Sequence, residues 1–237
     1  FNDKFIILGN LSIFKIGIQL LQNKDDFDGM LVYSIDKEYK RIFDYYFDVL
    51  FKKKNFTLSN NLVYLCLKQS MTKKSNYYFN RLNTEIKNMD PYFFYQYNSI
   101  QNTMNSSCQS KNIEYFKEIY NLANEYKLLY VKEKVFFEAA KSGSIEICQY
   151  FFDNKIKINF SKIESDIAND GSINKEIFLL ILNNVNNVIK NKLLSWSLYP
   201  SIKKKNKDLI EYLLNENVVP NDKALIEAVF TNDIDIL

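Results

Sequence analysis

Residues able to do chemistry are few in this chain, and histidine is absent from all 237 positions. Without histidine neither a Ser-His-Asp nor a Cys-His pair can form, and a histidine-based metal site is excluded as well. The three cysteines, Cys66, Cys108 and Cys148, are far apart, and each lies in an apolar helical pattern. An odd number of widely spaced cysteines indicates buried, reduced thiols of an intracellular protein. We therefore predict packing roles for all three.

Two carboxylate pairs could act as general acid and base, Asp25–Asp26 and Asp233–Asp235. Each pair falls at a predicted helix start, where a carboxylate is favourable by about 0.3–1 kcal/mol through the helix dipole. Helix capping therefore explains both pairs without a reaction. Only five glycines are present, which excludes a glycine-rich nucleotide loop. We predict that the protein is not an enzyme and has no catalytic, cofactor-binding or metal-binding residues.

Lysine runs fall at predicted turns and helix ends. They are Lys52–Lys54, Lys73–Lys74 and Lys203–Lys205 with Lys207. Lined up along one edge of a stack of helices, they would form a basic ridge able to meet an acidic partner or phosphate. Ordinary solvated turns explain the same lysines, and the net charge is only +3. Because a dedicated nucleic-acid binder carries a stronger positive footprint, we do not expect nucleic acid as the main partner.

An aromatic cluster, Tyr92–Tyr97, lies in the least regular stretch, Met89–Asn102. Tyrosine is favoured at protein interfaces, so this cluster is the best candidate for a contact patch. Such crowding of aromatic residues is more often the filling of an irregular part of the core. The sequence therefore identifies no specific partner-binding residue.

The stretch VFFEAAKSGSIEICQYFF, residues 135–152, predicts two short amphipathic helices in succession. Gly143 suits the end of the first helix, and Ser144 suits the N-cap of the second. The predicted apolar face of the first helix consists of Phe136, Ala139 and Ala140. That of the second consists of Ile145, Cys148, Phe151 and Phe152. Small residues on the first helix allow two helices to approach closely.

The same layout recurs along the chain. Copies lie at Ser106–Tyr120, Asp166–Leu182, Leu198–Leu214 and Ala224–Leu237. Small residues recur at the positions of the two alanines, namely Ser107, Cys108, Ser201 and Ala228. An acidic residue recurs near the start of the second helix, namely Glu114, Glu146, Glu176, Asp208 and Asp235. Successive acidic residues are 27 to 32 positions apart, which is closest to the ankyrin period of about 33. One helical pair cannot bury its apolar face alone, so stacking of neighbours is expected.

The chain resembles the ankyrin repeat family in a degenerate, Asn/Lys/Tyr-rich form known from protists. GSIEICQYFF at 143–152 and NKDLIEYLLNEN at 206–217 are similar to the second-helix signature of that family. The helix-opening Thr-Pro-Leu-His is absent, and Val135–Phe137 stands in the corresponding place. The glycine-rich turn between repeats is also missing. The resemblance implies an all-α solenoid of stacked helix-turn-helix repeats with short connecting loops, whose function is protein binding.

The N-terminal part carries weaker copies of this pattern. Gly9–Leu21 predicts one helix, Gly29–Ile35 and Lys37–Phe51 predict a pair, and residues 56–89 predict another, with Leu65 and Cys66 directed inward. Glycine and proline are scarce and no linker divides the chain, so we predict one continuous array over residues 1–237. Clear repeats cover 103–237 and degenerate ones 1–102. The chain begins without Met and ends inside an apolar stripe, so we expect a fragment of a longer protein.

The leading hypothesis is a non-catalytic scaffold for protein–protein interaction with an unidentified protein partner. No apolar run reaches the 18 residues of a membrane span and no signal peptide is evident, so an intracellular, cytoplasmic location is expected. One alternative is a binding module for nucleic acid or anionic surfaces that uses the lysine-bearing turns. Another is a structural segment of a larger enzyme or membrane protein. Oligomeric state is not predicted.

Overall fold

The computed structural model describes residues 25–52, 60–88, 98–128, 130–233 and 236, and these parts of the chain are helical with no strand among them. The helices are α1 (Asp25–Asp36), α2 (Lys40–Lys52), α3 (Asn60–Thr72), α4 (Asn76–Asn88), α5 (Asn98–Ser110), α6 (Ile113–Glu125), α7 (Lys132–Ser142), α8 (Ile145–Asp153), α9 (Glu164–Asp170), α10 (Lys175–Leu182), α11 (Asn187–Lys203), α12 (Lys207–Asn215) and α13 (Asp222–Thr231), with a 3-10 helix at Phe160–Lys162. The predicted all-α fold class is therefore confirmed.

Along the chain, helices α1 to α12 follow one another as six consecutive pairs, each joined by a turn of two to four residues. One residue with a left-handed backbone follows the first helix of every pair and also follows α13. We call this the left-handed turn position; it is held by Glu38, Lys74, Lys111, Gly143, Gly171, Lys205 and Asn232. Successive left-handed turn positions are 27 to 37 residues apart in the sequence. In the turn after α7, Ser144 N–H donates to Ala139 O at 2.9 Å and Gly143 N–H to Ala140 O at 3.1 Å, so the last carbonyls of the helix are satisfied.

A small buried residue lies four positions before the left-handed turn position in all but one case. These residues are Ser34, Ser70, Ser107, Ala139, Ser201 and Ala228, and Ile167 is the exception. The serines satisfy their hydroxyls within their own helix, since Ser34 Oγ donates to Leu31 O at 2.7 Å and Ser70 Oγ to Leu67 O at 2.7 Å. Serine can therefore replace alanine here without leaving a buried polar group unpaired.

The chain divides into two compact units, which we call unit 1 and unit 2. Unit 1 holds the described residues up to Ser110 together with 117–128. Within it, α1 contacts α2 and α3, and α3 contacts α4 and α5. Side chains link successive pairs at a separation of 33 residues, as when Gln69 Nε2 donates to Asp36 Oδ1 at 2.8 Å. Tyr77 with Asp44 and Arg81 with Asp48 form two further links at the same separation.

Unit 2 holds Lys111–Phe116 and the described residues from Tyr130 onward. First helices contact first helices, in the order α7, α9, α11 and α13, and second helices contact second helices, in the order α8, α10 and α12. The Phe136 ring packs edge-on against Phe151 and Phe160, at centroid distances of 5.5 and 5.3 Å. Asn206 Nδ2 donates to Gly171 O and to Ile173 O at 3.0 and 2.9 Å, which joins two pairs.

The structure corrects the predicted inner face of α8. Ile145, which the helical spacing places on that face, is 43% exposed, whereas Ile147 is buried. The physical reason is that α8 begins at Ile145 itself, so the buried stripe is set by Ile147, Cys148 and Phe151. Ser144 holds the predicted N-cap position, but its hydroxyl lies 3.1 Å from Ser142 Oγ and does not cap the helix.

Other predictions have mixed outcomes. Leu65 was expected to point inward and is 39% exposed, because Cys66 and Leu67 occupy the buried side of α3. The pair predicted from Gly29 and Lys37 is present, with its helices beginning at Asp25 and Lys40. Gly9–Leu21, Tyr92–Tyr97, Lys53 and Lys54 lie outside the described residues. The continuous array over 1–237 stays a prediction.

Candidate functional site

All three cysteines are buried in helices and form no disulfide. Burial raises the pKa of the Cys148 thiol to about 12, so this thiol remains protonated and a poor nucleophile near neutral pH. Cys108 lies three residues before a left-handed turn position, beside the small residue Ser107. Packing, as predicted from the sequence, is the role that these positions support.

The candidate carboxylate pairs lie at helix boundaries. Asp25 and Asp26 are the first two residues of α1. Asp233 Oδ1 lies 3.1 Å from Lys207 Nζ, and Asp235 lies outside the described residues. In the described ranges, no group of three or more Cys, Asp or Glu side chains is placed to hold a metal ion. Among those same residues, no helix is long and apolar enough to cross a membrane.

The lysine-bearing turns are partly engaged with local partners. Lys73 Nζ lies 3.1 Å from Asp36, and Lys205 Nζ donates to Thr231 O at 3.0 Å. Hydrogen bonds from Lys37 and then Lys73 hold the pKa of Asp36 below its usual range. Lys203 and Lys204 are exposed, and no described carboxylate lies within ion-pair distance of either. Among the described lysines of the predicted ridge, Lys73 and Lys207 thus have a carboxylate partner.

Exposed apolar side chains define a surface on α13 that sequence reasoning missed. In α1, α3, α5, α7, α9 and α11 the residues seven and three positions before the left-handed turn position are buried. The corresponding residues of α13 are Leu225 and Val229, which are 54% and 65% exposed. Ile226 and Phe230 extend the surface, and Phe230 is 77% exposed. We call Leu225, Ile226, Val229 and Phe230 the α13 face, since their spacing places them on one side of the helix.

A cleft of about 190 Å³ lies next to the N-terminal end of α13. Its lining residues come from α9, α11, the loop before α13, and α13 itself: Asn169, Ser195, Trp196, Leu198, Tyr199, Val219, Asn221, Lys223 and Ala224. We call it the Trp196 cleft, after the only tryptophan of the chain. The indole is 45% exposed and Val219 is 85% exposed. The lining carries one formal charge, that of Lys223, and no carboxylate.

An ion pair between the buried Glu164 and the half-buried Lys192 lies beside the Trp196 side of this cleft. Glu164 is only 8% exposed, and its Oε1 lies 2.5 Å from Lys192 Nζ. The same ammonium group lies 5.6 Å from the centroid of the Trp196 ring, within cation–π range. Glu164 Oε2 is buried without a hydrogen-bond partner among the described residues. Glu164 occupies the position that is apolar in the equivalent first helices, so this pair is a departure from the pattern of the core.

Two signals in the sequence could have found these surfaces. Trp196 is a lone tryptophan in a chain whose aromatic residues are otherwise Phe and Tyr. The segment ALIEAVF at 224–230 has six apolar residues out of seven. A helix that buries one side needs only a stripe of apolar residues, so some of these six are left for another surface. Exposure itself could not be derived from either signal, because it depends on which helices are neighbours.

Comparison with known proteins gives no match, since no family model, no curated protein and no solved structure is similar to this chain.

Proposed function

We propose that the chain is a non-catalytic scaffold for protein–protein interaction, built from stacked helix pairs similar to a degenerate form of ankyrin repeats. The observation that carries the proposal is the α13 face, where side chains at normally buried positions are not covered by any described residue. Large exposed apolar patches are characteristic of interaction sites. The proposed mechanism is recognition by shape, in which stacked pairs present an extended surface and exposed residues set specificity.

The absence of catalysis and an intracellular, cytoplasmic location belong to the same proposal. The chain has no histidine, and the described cysteines are buried as thiols, so groups that commonly act as nucleophile and base are missing or shielded. Buried reduced thiols suit a reducing compartment. The proposed partner is another protein.

The alternative of binding to nucleic acid or an anionic surface is favoured by one observation, the exposed Lys203 and Lys204 at the end of α11. Such binding would weaken steeply as salt is raised, because cations are released when lysines neutralise phosphates. Replacing Lys203 and Lys204 with Gln would then remove most of the salt dependence. The engaged lysines, Lys73, Lys205 and Lys207, make this the weaker proposal.

The test is a capture from native lysate, with and without nuclease, followed by mass spectrometry. Three baits are compared: the wild type, a Val229→Lys/Phe230→Lys variant of the α13 face, and a Val188→Lys control. Val188 is 67% exposed in the first turn of α11, so the control changes an exposed apolar residue away from the α13 face. Substitutions of exposed residues should change the free energy of unfolding by no more than about 0.5 kcal/mol relative to the wild type. Thermal melts of the three baits check this.

The expected result is a discrete protein captured by the wild type and by the control, lost in the double variant, and unaffected by nuclease. Identical captures by all three baits would remove the α13 face from the proposal. A captured set that disappears with nuclease would favour the lysine-bearing turns.

A further inference from the structure

We infer that the Trp196 cleft is an anchor site for a short acidic segment of a partner protein, in which an apolar side chain sits against the indole and an adjacent carboxylate meets Lys223. The inference rests on the proposed scaffold function and names the chemistry of the partner.

The size of the cleft selects this kind of ligand. Its volume of about 190 Å³ is below the 300–1,000 Å³ usual for cofactor and small-molecule pockets. One or two amino-acid side chains fit such a space. Binding of a peptide side chain with its neighbours outside the cleft therefore suits the geometry better than binding of a cofactor.

The lining combines an apolar surface with groups that can hydrogen-bond a peptide. Trp196 and Tyr199 are of the residue types that dominate binding energy at protein interfaces. Asn169 adds an amide at the exposed rim, and Ser195 adds a hydroxyl oxygen that can accept, since its hydrogen is donated to Lys192 O at 3.1 Å. Asn221 is partly committed, since its Oδ1 accepts a hydrogen bond from Ala224 N–H at 2.9 Å. Apolar contact and hydrogen bonding to a peptide backbone are thus available together.

The charge of the lining residues determines which charge the partner segment should carry. Lys223 is exposed, and no described carboxylate lies within ion-pair distance of it. Asp222 precedes it in the chain but does not line the cleft. The positive end of the α13 dipole lies at the same border, where Asn221, Lys223 and Ala224 line the cleft. Because Lys223 is the one charged residue of the lining, the carboxylate of an acidic segment would find an opposite charge at this border, whereas a basic segment would meet the like charge of Lys223.

The indole is held ready for binding. Lys192 Nζ contacts both the Trp196 ring and Glu164 Oε1, and Glu164 is fixed in the core of unit 2. A ring restrained in this way loses less conformational freedom when a ligand arrives. The ion pair therefore acts as a positioning element for Trp196.

The experiment uses the fluorescence of Trp196, which is unambiguous because the chain has one tryptophan. Two pools of capped hexapeptides are titrated into the protein. They are identical except that the central pair is Glu-Leu in one and Lys-Leu in the other. We expect a saturable change with the Glu-Leu pool and a Kd about threefold to fivefold tighter than that of the Lys-Leu pool, as for an exposed ion pair.

Lys223→Gln should abolish the difference between the pools, and the control Lys204→Gln, which changes an exposed lysine outside the cleft, should preserve it. Circular dichroism establishes that both variants are folded. The inference is overturned if neither pool gives a saturable change, if both bind equally, or if Lys223→Gln has no effect. If the pools fail while the lysate partner is still lost on changing the α13 face, the cleft inference is wrong and the scaffold stands.

Discussion

Helices α7 and α13 carry the same pattern in different surroundings. Glu138-Ala139 of α7 corresponds to Glu227-Ala228 of α13, and both helices end at a left-handed residue. Phe136 of α7 is fully buried, whereas the equivalent Leu225 of α13 is 54% exposed. The pattern therefore determines which side of a helix is apolar. The helices that neighbour it determine whether that side of the helix is buried in the core or exposed at the surface.

The neighbours of α7 are specific aromatic residues. Phe136 packs against Phe151 and Phe152 of α8, both at centroid distances of 5.5 Å, and α9 covers a further part of α7. Described contacts of α13 are with α11, which buries Ala224 and Ala228 and leaves the α13 face open. One apolar sequence pattern thus yields stability in one place and a candidate binding surface in another.

Truncating one phenylalanine in each helix gives the largest contrast. Phe136→Ala should lower the free energy of unfolding by about 3–5 kcal/mol, because it leaves a cavity among packed rings. Phe230→Ala should change it by less than about 0.5 kcal/mol, since 77% of that side chain is already exposed. Urea unfolding measures both. Similar losses for the two variants would show that the α13 face is covered in solution.

The two turn glycines extend the comparison to the backbone. An added Cβ at Gly171 would lie 2.3 Å from Pro200 O, a backbone atom of α11, whereas at Gly143 the nearest atom is the flexible Lys111 Nζ at 3.3 Å. Gly143→Ala should cost about 1–2 kcal/mol for its left-handed conformation alone. Gly171→Ala should cost about 3 kcal/mol or more, because overpacking is added. Equal shifts in the unfolding midpoint would contradict the close approach of α11.

Substitutions of Glu164 and Lys192 test a core position at which a charged side chain stands in place of an apolar one. Glu164→Leu should raise the free energy of unfolding by about 1–2 kcal/mol, because an apolar residue at this position avoids desolvation of a carboxylate. Lys192→Met should instead lower it, since the carboxylate would remain buried and unpaired. Thermal melts of the two variants should therefore shift in opposite directions. Destabilisation by Glu164→Leu would mean that the ion pair contributes more than its desolvation costs.

Much of the local structure could be predicted from the sequence. Helix pairs, the turn at Gly143 and the buried Phe136, Ala139 and Ala140 follow from apolar spacing and a glycine at a helix end. Each described acidic marker lies in the first turn of a second helix, namely Glu114, Glu146, Glu176 and Asp208. Such signals are local, so they can be recognised without knowing the neighbours of a helix.

Features that depend on tertiary contacts could not be predicted. Ile145 and Leu65 satisfy the helical spacing but are exposed, because the neighbouring helices decide which apolar residues face inward, Ile147 in α8 and Cys66 with Leu67 in α3. A buried Glu164 has no local signature, and the exposure of Trp196 depends on how α9, α11 and α13 surround it. The exposure of the Trp196 cleft and of the α13 face could therefore not be derived from the sequence.

Lysine at the left-handed turn position gives the smallest expected effect. Lys74, Lys111 and Lys205 have φ values of 52°, 56° and 56°, which are unfavourable for a residue with a Cβ. Because glycine adopts this conformation without the steric cost, Lys74→Gly should stabilise the protein by up to about 1 kcal/mol, less its own entropic cost in the unfolded chain. The control Lys68→Gly, on the exposed side of α3, should destabilise it by about 1 kcal/mol. Opposite shifts of the urea midpoint for the two variants would show that packing of the helix pair imposes the turn conformation, as at Gly143. Equal decreases of the midpoint for both variants would mean that the lysine side chain itself stabilises the turn.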